Sequence, residues 1–297
     1  MSALADLEPK AASKQPFTRA EAERVLACPD LIAVGVLAES ARKALHGDVV
    51  SFGRVCVATL QTWPASIGEA GEVRISVKPT SRDDAGAFAR AGRELAGKTP
   101  LTGFSVGDLL ELCGGDHVAL AEFAKHLKAE GLESVAELPL DRIGDTENAV
   151  EVVRALQHGG LGVWRATIEQ ATAADRLALI ERAAAIQRET SALRAFAPLP
   201  RQDPRDTPST GYDDVKTVAV ARLMCPAIGA IQVDWPLYGP KLAQVAIAYG
   251  ADDIDGVANV DDPALGTRRS AAQDVERQIR SAFATPRERT GRFEPRA

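Results

Sequence analysis

Asp253 and Asp255 are separated by one isoleucine. On a strand, that spacing puts both carboxylates on one face. Two acids aimed into a closed site imply a raised pKa, a bound cation or a ribose diol. The structural alternative, which includes the adjacent Asp252, is capping and a salt bridge to Lys241 or Arg222. Just upstream, Gln232, Asp234 and Trp235 end the apolar run that begins at Ile228. Trp235 offers a stacking face and one N–H donor, which suit an aromatic or nucleobase ligand, or it plugs the site with its bulk. Two further groups lie on short apolar runs. Glu137 supplies an acid or a surface strand end, and Arg165 faces an anionic ligand or turns outward into a salt bridge.

Cysteine and histidine point away from metal chemistry. Cys28, Cys56, Cys113 and Cys225 are far apart and form no CxxC pair, and the four histidines form neither HxxxH nor HxH. Zinc-site spacing is therefore missing, no metal is expected, and a disulfide framework is not expected at this length. The expected compartment is a reducing cytoplasm. A net charge of −6 and only 5% aromatics argue against nucleic acid or an anionic membrane as partner. The first residues lack a basic start and an apolar core, so no signal peptide is read, and no uncharged apolar run reaches the roughly 18 residues of a membrane helix.

These groups have to be held by alternating strands and helices. Thr18 with Glu21 reads as a capping box, and Leu31, Val34, Leu37, Ala38, Ala41 and Leu45 recur at helical spacing up to Gly47. From residue 49 the texture changes. Short β-rich runs at 49–52, 55–58, 73–77, 102–104, 135–138, 162–168, 193–199, 228–233 and 253–257 alternate with helical stretches. No glycine-rich dinucleotide fingerprint follows the first run. The expectation is an α/β fold, a full or partial TIM-like (β/α) barrel with an N-terminal helical pair and a C-terminal helix. Its parts are a tail and helical pair over 1–48, the barrel over 49–260, and a terminal helix with a loose basic tail over 261–297. Arg268, Arg269 and the arginines of 287–296 read as solvated surface rather than a phosphate site. Gly114-Gly115-Asp116-His117 reads as a helix-entry turn, or as a remnant of a ligand-cradling loop.

A longer pattern runs through the C-terminal half. It comprises Thr210-Gly211-Tyr212-Asp213-Asp214-Val215-Lys216-Thr217, then Ile231-Gln232-Val233-Asp234-Trp235, Gly239-Pro240-Lys241-Leu242 and Gly250-Ala251-Asp252-Asp253-Ile254-Asp255-Gly256. Together with Asp30-Leu31-Ile32-Ala33-Val34 and Leu45-His46-Gly47-Asp48, it resembles the futalosine-type radical SAM family. That family comprises aminofutalosine synthase and dehypoxanthinyl futalosine cyclase of the alternative menaquinone pathway. The resemblance implies a barrel, a [4Fe–4S] cluster on Cys-x3-Cys-x2-Cys after the first strand, S-adenosylmethionine, and a nucleoside-like substrate.

This chain departs from the family at the decisive place. Cys56 stands at the first cysteine position, but Leu60 and Trp63 stand at the second and third. Leucine offers no ligand and tryptophan only a donor, so neither binds iron. The cluster and S-adenosylmethionine are therefore expected to be lost, with Leu60 and Trp63 packed at the barrel mouth in place of the cluster loop. The expected function is a cluster-less barrel of menaquinone biosynthesis that binds a small nucleoside-like ligand, paired with a cluster-bearing paralogue or with itself. The alternatives are a non-radical enzyme acting on a nucleoside or chorismate-derived intermediate, and a radical SAM enzyme with an unusual cluster site. Whether there is turnover stays open at this point.

Overall fold

The computed structural model describes residues 4–172, 174–202, 210–260 and 272–296. A 3-10 turn, Ala5–Leu7, leads into three helices: α1 (Glu8–Ala12), α2 (Arg19–Ala27) and α3 (Leu31–His46). The Thr18–Glu21 capping box opens α2 as expected, and the Asp30 carboxylate accepts the Ile32 and Ala33 N–H groups to open α3. Gly47, at φ 61°, ends α3 in a conformation that favours glycine.

The barrel begins with β1 (Val49–Ala58), one continuous strand where two short runs were expected. It continues through β2 (Glu72–Ile75), α4 (Arg82–Ala96), β3 (Leu101–Ser105), α5 (Val106–Leu112), α6 (His117–Ala129), β4 (Ser134–Pro139) and α7 (Thr146–His158). After these come β5 (Arg165–Ile168), α8 (Arg176–Thr190), β6 (Ala195–Pro200), α9 (Gly211–Met224), β7 (Ala230–Asp234), α10 (Trp235–Ala248) and β8 (Asp253–Ala258). All neighbouring strands are parallel, and β1 pairs with both β2 and β8, so the eight strands close. The expected barrel is thus present and complete. Helices α3, α9 and α10 pack together on one flank, which places the N-terminal pair against the barrel's own helices.

Two features depart from a regular barrel. The link from β1 to β2, residues 59–71, carries no helix, whereas each later strand through β7 is followed by one. Leu60 and Trp63 lie on this link and do not fill the mouth. Leu60 is 66% exposed and Trp63 is 38% exposed, its ring tilted against Phe88 at 6.1 Å between centroids. Residues 60–63 are exposed, and the buried positions of the link come later, at Ala70 and Gly71.

The second departure is the C-terminus. After α11 (Ala272–Ser281), the supposedly loose tail forms β9 (Thr285–Arg289). It pairs in parallel with the lower half of β1, from Val49–Thr285 to Gly53–Arg289, beneath the point where β2 takes over that edge. The chain then passes under the barrel, tied by the Gly291 N–H to the Gly71 carbonyl and by Arg292 to the Glu133 carboxylate at 2.7 and 2.9 Å. Arginines 287–296 are therefore part of the sheet and its floor rather than a free basic tail. Arg268 and Arg269 lie outside the described residues.

Candidate functional site at the barrel mouth

Strand alternation decides what enters the barrel. On β1, Ser51 donates to Asp253 Oδ2 at 2.6 Å, and a Cβ at Gly53 would lie 2.7 Å from the Arg289 guanidinium. Arg54, between Gly53 and Val55, turns outward to Glu288. The same alternation on β8 brings Asp253 and Asp255 to one inner face, as their spacing predicts. The register sets Gln232 beside Asp253 and Asp234 beside Asp255.

The interior is ionic. Arg74 donates to both Glu72 oxygens at 2.8 and 3.0 Å and to both Asp255 oxygens at 2.9 and 3.1 Å. Arg289 rises from the floor to grip Asp253 and to reach Asp255 at 3.0 Å. Arg165 enters from the opposite wall, 3.4 Å from both Glu72 and Asp255. Thr102 and Gln232 complete the shell on Glu72 and Asp253. Three arginines thus face three carboxylates, each at most 9% exposed. Burial alone would raise the Asp255 and Glu72 pKa values. The surrounding arginines outweigh it and hold Asp255 well below, and Glu72 below, the ordinary carboxylate range.

This corrects several expectations. Asp253 and Asp255 do not wait for a cation or a ribose diol, because arginines and neighbouring side chains take up their oxygens, while Gln232 donates to Asp253 and its buried Oε1 has no partner in the protein. Asp252 points away from the mouth: it takes Arg222 at 2.7 Å and the Ile231 N–H at 2.7 Å, which is the salt-bridge alternative. Trp235 is 1% exposed within the hydrophobic core, so it offers no open stacking face. Arg165 turns inward, not outward. Gly114 and Gly115, at φ 62° and 78°, lead to Asp116, which caps α6, so that motif is a helix entry.

Above the ionic core opens a cavity of about 420 Å³ at the C-terminal ends of the strands. Arg74 and Arg165 form its base. Its rim carries Glu137, Arg201 and Asp234. Arg201 bridges the rim, 2.9 Å from Glu137 and 3.4 Å from Asp234. Asp234 also caps α10 through the Leu237 N–H, and burial raises its pKa despite Arg201. Among the residues that line this cavity, Arg165 Nε, Ser105 Oγ and Asp108 Oδ1 are buried with no hydrogen-bond partner in the protein, as is Arg201 Nε apart from its ion pair with Glu137. Such orphans are costly unless something fills them. Sequence reading missed Glu72, Arg74, Ser105, Arg201 and Arg289. For Glu72 and Arg74 a signal existed, since charged residues sat at alternate positions in a strand whose other face was apolar.

A [4Fe–4S] cluster needs several converging thiolates, and the residues present do not fit one. Cys56 lies on the outer face of β1, between Val55 and Val57, of which Val57 lines the mouth. Its thiol faces the Ser66 carbonyl at 3.9 Å, and burial pushes its pKa up. Cys28, Cys113 and Cys225 are buried on other elements, and the Cys225 pKa is pushed up to about 12 by burial. Among the described residues, no three His, Cys, Asp or Glu side chains are grouped to hold a metal ion.

Comparison with known proteins places this geometry. Residues 199–297 match the CofH/MqnC C-terminal region. The chain is 27% identical over 197 residues to the 5-amino-6-(D-ribitylamino)uracil–L-tyrosine 4-hydroxyphenyl transferase of Archaeoglobus fulgidus, covering 56% of this chain and 55% of that protein. It is 31% identical over 132 residues to aminodeoxyfutalosine synthase of Streptomyces coelicolor, covering 37% and 34%. To cyclic dehypoxanthine futalosine synthase of the same organism it is 26% identical over 200 residues, covering 60% and 50%. Each alignment spans about half the relative's length or less. In structure it is similar to methylornithine synthase, with a TM-score of 0.66 at 14% identity over 94% of this chain and 97% of that one. HydG, a maturase of the [FeFe]-hydrogenase, gives a TM-score of 0.64 at 12% identity, over 95% and 74%. By its C-terminal third, and by relatives that align with up to about 60% of it, the chain is similar to the futalosine-type radical SAM enzymes.

Proposed function

We propose that this protein is a cluster-less barrel that binds a small nucleoside-like molecule at its mouth without radical chemistry, in the metabolic setting of its futalosine-type relatives. The observation that carries this reading is the mouth cavity itself: an open polar chamber over a saturated core, with Arg165 Nε and Ser105 Oγ buried and unpartnered. Ligand oxygens accepting from Arg165 and Ser105 would satisfy both. Arg201, held between two carboxylates, orients Glu137 and Asp234 toward ligand hydroxyls. The outward-facing Cys56 and the helix-free link after β1 support the absence of a cluster loop. A cluster-bearing paralogue, or a second copy of this chain, is the partner that such a barrel would serve.

A second reading has its own support. The Asp234 carboxyl, with its pKa raised by burial, is suited to hold and release a proton at the cavity rim. It favours a non-radical enzyme acting on a nucleoside or a chorismate-derived intermediate.

Calorimetry against futalosine-type nucleosides and S-adenosylmethionine tests the binding claim. At least one nucleoside is expected to bind at the mouth. Arg201→Ala should weaken that binding by roughly 10- to 150-fold, the equivalent of losing a charge-assisted hydrogen bond of about 1.5–3 kcal/mol. Equal binding by wild type and variant would move the site elsewhere. Turnover of the bound nucleoside that disappears in Asp234→Asn would favour the second reading.

A further inference from the structure

The barrel has a second chamber at its other end. A cavity of about 760 Å³ lies under the floor, between the end of α3, the strand starts of β6, β7 and β8, and the C-terminal segment. The side chains that line it include Arg194, Arg287, Arg289, Arg292, Asp252 and Glu294.

Most of these charges are spoken for. Arg289 is committed to Asp253 and Asp255, Arg292 to Glu133, and Asp252 to Arg222. Arg194 and Arg287 are different, because no carboxylate forms a salt bridge to either among the described residues. Arg287 lies two residues before Arg289 on β9, hence on the same face of the strand. Arg289 reaches up into the barrel, and Arg287 is left at the chamber wall. Arg194 is held in place without losing its charge. Its guanidinium lies 4.7 Å over the Trp164 ring, and it donates to the Arg292 carbonyl. In a chain whose net charge is −6, two unpaired guanidinium groups on separate walls of one cavity run against the overall balance. Glu294 is the one lining carboxylate left to oppose them, and it is exposed. Planar guanidinium forks suit the oxygens of a phosphate group, and the chamber has room for an organic group attached to it.

We propose that this floor chamber is a phosphate-binding site, held by Arg194 and Arg287, for a phosphate monoester or free phosphate. It is separate from the mouth, at the opposite end of the strands, and does not depend on the mouth reading.

The test is calorimetry of the full chain with inorganic phosphate and with ribose 5-phosphate, each against sodium chloride at equal ionic strength. Saturable binding is expected. Arg194→Ala and Arg287→Ala should each weaken it at least tenfold, with melting temperatures near wild type because both side chains are exposed. Arg201→Ala, at the mouth, should leave it unchanged. Tighter binding of the ester would assign the site to a phosphorylated metabolite, and tighter binding of phosphate to the free ion. No binding beyond the chloride control would overturn the proposal, as would equal binding by wild type and both floor variants.

Discussion

Below the level of Asp255 the barrel is electrostatically closed, while at its mouth it is open. In the lower part, Arg74 and Arg289 meet Glu72, Asp253 and Asp255 at hydrogen-bond distance, and little lining capacity is left over. At the mouth the same residue types are only partly paired. Arg165 makes long contacts and has a free Nε, Arg201 spans two acids, and Asp234 keeps a raised pKa. A buried charge whose neighbours saturate it is structural, whereas one that faces a cavity with unmade hydrogen bonds is available to a ligand. Asp253 and Asp255 belong to the first kind; Arg165, with its unpartnered Nε, is the group that the proposed ligand would meet, with Glu137 and Asp234 on the rim.

The largest effect should come from breaking the closed region. Arg289→Ala removes the cation between Asp253 and Asp255 and leaves two buried carboxylates undercompensated. The expected cost is about 3–5 kcal/mol in chemical denaturation. A loss below about 1 kcal/mol would mean that the C-terminal strand is not integral to the barrel.

Acid should loosen the same region by a smaller step. Glu72 and Asp255 have folded-state pKa values held below their unfolded values. Their contribution is therefore complete above the ordinary carboxylate range and is lost as pH falls from about 4 through the depressed values. Asp234 and Asp252, raised by burial, have the opposite sign, and their contribution falls as pH rises through their folded values. Melting temperature measured from pH 7 to pH 3 should drop steeply only at the acid end, and Asp234→Asn should retain that drop. A flat acid limb would contradict an ionised core.

The smallest effect is expected at Trp63, on the link after β1. Its ring is 38% exposed and tilts against Phe88, so Trp63→Ala should cost about 1 kcal/mol. A cost near 4 kcal/mol would restore the expectation that this residue fills the space of a cluster loop.

Much of the frame was legible in the sequence because it rests on local chemistry. Thr18, Asp30 and Asp116 cap their helices, and the period of two on β8 faces Asp253 and Asp255 inward. What was not legible is long-range. Arg289 reaches Asp253 from 36 residues away, and Arg74 reaches Asp255 from 181 residues away. No local pattern reports such partners, so acids that looked poised for a ligand were already paired. The tail looked loose for the same reason, since β9 is short and exposed on alternate residues and exists only because β1 extends below β2.

The barrel proposed here works without an iron–sulfur cluster. Anaerobic reconstitution with iron and sulfide, followed by iron analysis and EPR after reduction, measures this directly. The expected result is iron well below one cluster per chain and no reduced-cluster signal, with the fold unchanged. Near-stoichiometric cluster iron with that signal would contradict it, and would mean that cysteines now seen buried and apart come together around the metal.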